Sequence, residues 1–136
     1  MAEVDIRLVL EGGEADRGQR RYEPGSMVRG TVQLVPAQDV RCDGVFVTVG
    51  WHTEGRGDSA HVQVGEVELQ RGPLTANTPT SHSFAVALPH EPWSYAGHYI
   101  NIIWEITVVI AIPFAADIKH AEQIVVAPRR EGGSAG

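Results

Sequence analysis

Apolar and polar residues alternate along most of the chain with a period of two, which is typical of β-strands that bury one face. The first predicted strand places four apolar residues on one face and charged residues on the other: Val4, Ile6, Leu8 and Leu10 against Asp5 and Arg7. Residues 11–19 contain three glycines and several charges, and we expect a loop there. No stretch of a dozen residues has a helical period, so the pattern predicts an all-β fold.

The second predicted strand follows the sequence Tyr22-Glu-Pro-Gly. Pro24 and Gly25 suit the two central positions of a type II turn, in which glycine takes a positive φ. After this turn Val28, Val32 and Leu34 share one face, and Gly30 on that face leaves room for a large neighbour.

Five further strands are predicted near residues 41–53, 60–70, 82–88, 100–112 and 122–127. In the strand over 60–70 the apolar parity changes at Gly65 and Glu66, which indicates a β-bulge. The strand over 100–112 exceeds the usual length of about 3–10 residues. We therefore expect it to bend or to change partners.

Seven strands separated by turns predict an antiparallel, immunoglobulin-like β-sandwich. A chain of 136 residues suits a single domain, predicted over residues 1–128, with a disordered tail over 129–136. The single cysteine, Cys42, excludes an intrachain disulfide, and we interpret it as a small strand residue.

The formal net charge of -6 argues against nucleic acid or an anionic membrane as the main partner. The N-terminal residues are acidic and lack the apolar core of a signal peptide, so we expect a cytoplasmic protein. The most apolar segment, Tyr99 to Ala116, contains Asn101, Glu105 and Pro113 and is better explained by a strand than by a membrane helix.

Four blocks of sequence, in order, resemble an N-terminal domain of the arrestin type. The first block is Tyr22, Pro24, Gly25, Val28, Gly30, Val32 and Leu34. The second, Trp51, Thr53, Glu54, Gly55 and Gly57, is similar to the family's W-x-T-E-G-x-G. The third is Pro89, Pro92, Ser94, Tyr95 and Gly97 with the long strand after them, Ile102, Trp104, Ile106 and Val108. The fourth is the closing strand from Ile124 to Pro128.

The arrestin group includes receptor-binding arrestins, arrestin-domain trafficking adaptors, the retromer cargo subunit and bacterial sporulation-control proteins. The resemblance implies a β-sandwich that binds other proteins and has no catalysis of its own. Most members carry two sandwiches, whereas this chain has the length for one. A solitary half would leave sheet edges free to pair with a second copy, so a homodimer is one expectation. The amphipathic helix and phosphate-sensing polar core of receptor-binding arrestins are not recognisable, and neither is a Pro-Pro-x-Tyr motif.

Two groups of residues are candidates for protein binding. Trp93 and Tyr95 lie in a proline-rich loop, where they either anchor a partner or tuck under the loop and cap the core. Arg17, Arg20 and Arg21 form the only basic cluster, which either reads an acidic or phosphorylated peptide or solvates a loop.

Other motifs favour less specific interpretations. His52 and His61 flank one predicted hairpin with Glu54 and Asp58 nearby, which suggests a loose metal or carbohydrate site or simply polar histidines at a hairpin mouth. The tripeptide at 56–58 within GRGDS matches an integrin-recognition motif, but its glycines also suit a hairpin.

The remaining polar residues offer no catalytic group. Ser94 lacks a nucleophile-elbow context, and Glu105 is expected to face the surface or to pair with an arginine.

The sequence thus favours a non-enzymatic adaptor or scaffold that binds protein through sheet edges and loops. Trp93 and Tyr95 are the predicted anchors, and Arg20 and Arg21 the predicted charge readers. No cofactor is predicted. The alternative is a ligand-binding sandwich that holds a metal or carbohydrate at the 52–61 hairpin through His52, Asp58 and His61. An enzyme is disfavoured, because no acid, base and nucleophile converge at a recognisable spacing.

Overall fold

A computed structural model describes residues 4–57 and 59–128, and these residues form ten β-strands without a helix. The strands are β1 (Val4–Glu11), β2 (Glu14–Asp16), β3 (Gln19–Tyr22), β4 (Met27–Pro36), β5 (Gly44–Gly55), β6 (His61–Arg71), β7 (Thr80–Ala87), β8 (Tyr95–Ala96), β9 (Ile100–Ala111) and β10 (Ile118–Val126). The predicted disordered tail over 129–136 lies outside the described residues.

The strands form two sheets, which confirms the predicted β-sandwich. The small sheet has the order β1-β4-β7 and the large sheet the order β2-β3-β10-β9-β5-β6, with β8 paired to β9. Every named pair is antiparallel except β3 with β10, which run parallel. The prediction of a loop over residues 11–19 was wrong in part, because β2 lies within this stretch and pairs with β3.

The core lies between the sheets and is made of the inward residues of both. The side chains of Trp104, Ile106 and Val108 in β9 are fully buried. Gly30 leaves room for a large neighbour as predicted, because the ring of Phe84 fills the space beside it. A Cβ atom at Gly30 would lie 2.8 Å from Phe84 Cζ and 2.6 Å from the carbonyl oxygen of Val9.

The turn at Pro24 and Gly25 has the predicted geometry. Gly25 has a φ of 80°, and the backbone N–H of Ser26 donates to the carbonyl of Glu23 at 3.1 Å. The N–H of Gly25 also donates to the carbonyl of Pro89 at 3.0 Å. This bond ties the turn to the start of the proline-rich segment that carries Trp93 and Tyr95.

The two irregularities predicted in long strands are both present. In β6 the register moves from Val49↔Gly65 to Gly50↔Gln63, so Val64 is the extra residue of a bulge adjacent to the predicted position. A second shift, between Val45 and Phe46 of β5, was not predicted. On one edge of β9 the partner changes from β10 to β8, which confirms that the long strand changes partners.

The two sides of the sandwich differ. On one side β6 and β7 approach closely: a Cβ at Gly65 would lie 2.6 Å from Val86 Cγ1, and His82 Nε2 is 2.7 Å from Gln70 Oε1. On the other side β1 pairs only with β4, and its inward residues are half-buried. The outer edge of β1 is thus without a strand partner in the part of the chain that the structure describes.

Candidate functional site

A cleft of about 520 Å³ lies where β10 ends, with β3 on one side and β8 on the other. The cleft exists because β8 replaces β10 beside the first residues of β9, so the edge of the sheet is stepped. Its lining residues are Asp16, Arg17, Gln19, Arg21, Ser94, Tyr95, Ala96, Asn101, Ile102, Ile103, Gln123, Ile124, Val125 and Ala127.

Hydrogen bonds to β10 and to the core fix the β8 wall of the cleft. The backbone N–H of Ser94 donates to the carbonyl of Val126 at 2.7 Å, and Ser94 Oγ accepts from the N–H of Val126 at 2.9 Å. Earlier in the same segment, the carbonyl of Pro92 accepts a hydrogen bond from the indole N–H of buried Trp104 at 3.1 Å. Ser94 therefore has a structural role, and Tyr95 is presented from an anchored segment.

The opposite wall is the tight hairpin of β2 and β3. Asp16 pairs with Gln19, and the two residues between them, Arg17 and Gly18, have φ values of 52° and 83°. Two consecutive positive φ values define the type I′ turn that suits the twist of a two-residue hairpin. The turn places Arg17 at the rim of the cleft.

Arg21 and Asp16 form an ion pair in this wall, with 3.5 Å between Nη1 and Oδ2. Their side chains are only 14% and 15% exposed. Arg21 Nε is buried and has no hydrogen-bond partner among residues 4–57 and 59–128. Arg17 makes no ion pair with those residues, so the wall keeps donor capacity for an acidic group.

The floor of the cleft is apolar because of two residues that face away from the core. Trp104 is buried, so the preceding Ile103 faces outward, and Val125 faces outward between buried Ile124 and Val126. Sequence reasoning did not identify Ile103 and Val125 as site residues. The sequence did carry a signal for them: both are apolar, yet the alternation of each strand places them on its solvent-facing side.

The structure brings together two of the four predicted binding residues, Tyr95 and Arg21. Tyr95 and Trp93 are 56% and 50% exposed, so neither is tucked beneath the loop. Trp93 does not line the cleft, and its indole N–H donates to the carbonyl of His90 at 2.9 Å. Arg20 is also outside the cleft, with Nη1 donating to the carbonyl of Gly12 at 3.0 Å.

The 52–61 hairpin has the predicted juxtaposition of histidines. His52 pairs with His61 across β5 and β6, and their rings stack with centroids 5.6 Å apart. His52 Nε2 lies 2.9 Å from Glu54 Oε2, and Nδ1 lies 3.3 Å from Glu105 Oε1. The partner of Glu105 is thus a histidine rather than the arginine considered from sequence.

The metal alternative gains no support from the described part of the chain, which contains no group of three or more His, Cys, Asp or Glu residues placed to hold a metal ion. Asp58, a member of the predicted set and of the tripeptide at 56–58, lies outside that part.

Cys42 is buried, but it precedes β5 instead of lying in a strand as the sequence predicted. Its thiol donates to the carbonyl of Gly72, with Sγ 3.2 Å from the oxygen. Burial raises the pKa of the Cys42 thiol above its usual value of 9.0, which opposes formation of the nucleophilic thiolate.

Comparison with known proteins identifies the fold but not the family. No family model matches the chain, and no curated protein matches it. Among solved structures, the sporulation control protein Spo0M from Bacillus subtilis is similar with a TM-score of 0.69 and 14% sequence identity. The match covers 93% of this chain and 50% of Spo0M, so the chain spans half the length of that protein.

The likeness to Spo0M confirms that the fold is an arrestin-like β-sandwich. At this level of identity it concerns the fold alone. None of the described residues belongs to a helix of the length and apolar character needed to cross a bilayer.

Proposed function

We propose that this chain is a non-enzymatic, cytoplasmic protein-binding module, an adaptor or scaffold, that holds an extended segment of a partner protein in the cleft beside β3 and β8. The observation that carries the proposal is the composition of this one cleft. It combines an exposed tyrosine, an apolar floor and an arginine without an acidic partner among the described residues. Aromatic and arginine side chains around a desolvated centre are the usual anchors of protein interfaces.

Each wall contributes a different interaction. Ile103 and Val125 would contact an apolar side chain of the partner, and the ring of Tyr95 would cover it from the side. The guanidinium of Arg17 would pair with a carboxylate at the rim. The cleft volume falls within the range of about 300–1,000 Å³ that is typical of ligand pockets.

The free edge of β1 supports the same function by a second route. Its unpaired N–H and C=O groups would accept an added strand, and its half-buried apolar residues would gain cover from that strand. Pairing of two copies along this edge is the homodimer that the sequence led us to expect.

A non-enzymatic role accords with the groups that would otherwise invite catalysis. Ser94 Oγ already accepts a hydrogen bond from the N–H of Val126, and the Cys42 thiol is buried and bonded to Gly72. Among residues 4–57 and 59–128, neither side chain is paired with a histidine.

Affinity capture from the native cell tests the proposal when the wild-type chain is compared with Tyr95→Ala and Arg17→Gln. We expect a protein that is captured by the wild type and lost or reduced with both variants. Calorimetry with that protein after purification should show at least a tenfold loss of affinity for Tyr95→Ala. Tyr99→Ala is the matched control, because Tyr99 is similarly exposed but lies outside the cleft. Equal binding by wild type and both cleft variants would refute the proposal.

A further inference from the structure

The hairpin between β9 and β10 carries an aromatic side chain that the fold does not use. Phe114 is the most exposed large hydrophobic residue among those described. Its φ is 61°, in the left-handed region that bulky residues seldom adopt. Exposure of the ring and the unfavourable backbone conformation both oppose folding, so a role in binding would account for the residue.

The tip of this hairpin is held in shape at its base. The N–H of Ile112 donates to Asp117 Oδ1 at 3.0 Å, and the N–H of Asp43 donates to the carbonyl of Ala111 at 2.8 Å. The residues at the end of the hairpin, 112–116, have the sequence IPFAA and carry no charge. The result is a convex apolar tip, here called the Phe114 tip (residues 112–117).

The Phe114 tip and the cleft lie at opposite ends of β9. The cleft contains residues 101–103 at the start of the strand, whereas the tip follows Ala111 at its end. A strand of this length separates them by roughly 30–40 Å at about 3.3 Å per residue. The tip therefore cannot enter the cleft of its own chain, but it can reach the cleft of another copy.

The two surfaces are complementary in shape and charge. The tip is convex and apolar, and the cleft is concave with an apolar floor at Ile103 and Val125. The charged residues that line the cleft are Asp16, Arg17 and Arg21, which sum to +1, and the tip contains only Asp117, which gives −1. Two copies of a chain with a net charge of -6 repel each other in general. A contact between these two patches is locally attractive.

We propose that the Phe114 tip of one copy occupies the cleft of a second copy, with the Phe114 ring against Ile103 and Val125. The proposal rests on the cleft being a protein-binding site and names a partner for it, a second copy of this chain. The contact joins two different surfaces, so a pair of copies still has one free tip and one free cleft, and association continues head to tail. One hairpin in one cleft makes a small interface, and the association is accordingly weak.

Sedimentation velocity and light scattering from micromolar to millimolar concentration test the contact. We expect the mean mass of the wild type to rise steadily with concentration and to pass the mass of a dimer. Phe114→Ser should weaken self-association at least tenfold, as loss of a buried aromatic anchor does. Val35→Ser is the matched control, because Val35 is an exposed apolar residue in β4, the central strand of the small sheet. A wild type that stays monomeric, or equal association of Phe114→Ser and wild type, overturns the proposal.

Mixing two variants tests the head-to-tail arrangement. Phe114→Ser lacks the tip but keeps the cleft, whereas Ala96→Trp keeps the tip and fills the cleft from the β8 wall. Ile103→Gln is a second cleft variant that retains the backbone and removes the apolar floor. Each variant alone should lose the tip-to-cleft association, and an equimolar mixture should form one such contact per pair of chains and grow no further. A mixture that stays monomeric overturns the arrangement, as does a cleft variant that associates like the wild type.

The result can be separated from the fate of the proposed function. If self-association fails but a captured partner still loses affinity with Tyr95→Ala, only the second copy as occupant is rejected. If neither a second copy nor another protein responds to cleft variants, the binding role of the cleft is rejected as well.

Discussion

Gly30 of β4 and Phe84 of β7 are directly paired on neighbouring strands of the small sheet. Their contact shows how tightly single residues are constrained in this core. Adding one methyl group to Gly30 creates close contacts with a ring carbon of Phe84 and with the backbone of Val9. The ring can shift, but the carbonyl oxygen of Val9 is held in the β1–β4 pairing. The glycine is thus required for close packing rather than for a turn.

We predict that Gly30→Ala lowers the free energy of unfolding by about 1–3 kcal/mol, as overpacking of a core usually does. Chemical denaturation of the purified variant measures the change. Combining it with Phe84→Leu should cost less than the sum of the two single changes, because the smaller side chain relieves part of the clash. Strict additivity would contradict the proposed contact.

Burial of Tyr22 makes the stability of the fold depend on pH. Its ring is buried, and its hydroxyl donates to the carbonyl of Glu11 at 2.9 Å. Burial raises the pKa of Tyr22 above its usual value of 10.0, with Arg20 opposing the shift and Glu11 adding to it. The unfolded chain therefore loses this proton at a lower pH than the folded chain. The resulting stabilisation is complete below pH 10 and is lost as the pH rises toward the pKa of the folded state.

We predict that the free energy of unfolding falls above pH 10 and that Tyr22→Phe flattens this fall. At pH 7 the variant should be about 1 kcal/mol less stable because the hydrogen bond to Glu11 is lost. Denaturation series between pH 7 and 11 measure both effects. A Cys42→Ala background removes the thiol, whose pKa is also raised by burial. An unchanged slope in Tyr22→Phe would contradict this role of Tyr22.

At the scale of elements, the strands with clear alternation were predictable and the short ones were not. Parity identified β4, β9 and the bulge of β6, because one buried face forces a strict period of two. The strand β2 has the sequence EAD, with no apolar alternation, and pairs with β3. The parallel pairing of β3 with β10 joins residues about a hundred positions apart and leaves no local pattern.

The same reasoning explains which parts of the cleft could be predicted. Tyr95 and Arg21 stood out by residue type. Ile103 and Val125 did not, because each lies within an apolar run in which every residue suits a buried strand. Strand parity is the one sequence signal that places these two side chains on the outer face, and the register of β9 and β10 confirms it.

The β2–β3 hairpin allows stability and binding to be separated, because Arg17 has a positive φ and also lies at the cleft rim. We predict that Arg17→Asn raises the free energy of unfolding by about 0.5–1 kcal/mol, since asparagine tolerates the left-handed region. The same change should weaken partner binding through loss of the cation. Arg17→Lys is the control, because it keeps both the charge and the strain. Thermal denaturation and calorimetry on both variants provide the measurements, and a less stable Arg17→Asn chain would contradict the argument.

At the scale of the whole molecule, the sandwich is closed along β6 and β7 and open along β1, and its two ends differ in character. One end carries the cleft and the exposed aromatic residues Trp93, Tyr95 and Tyr99, and the other carries the Phe114 tip. The chain matches half of Spo0M in length and shares its fold. A binding role at these ends accounts for apolar side chains that the core does not bury.

Hydrogen–deuterium exchange, measured with and without the captured partner, is the most direct test of the claim that the cleft is the binding site. The account predicts slower exchange upon binding in three segments, residues 19–22, 94–103 and 123–127, with the backbone of the 52–61 hairpin unchanged. Protection confined to that hairpin or to β6, with these three segments exchanging as in the free chain, would contradict it.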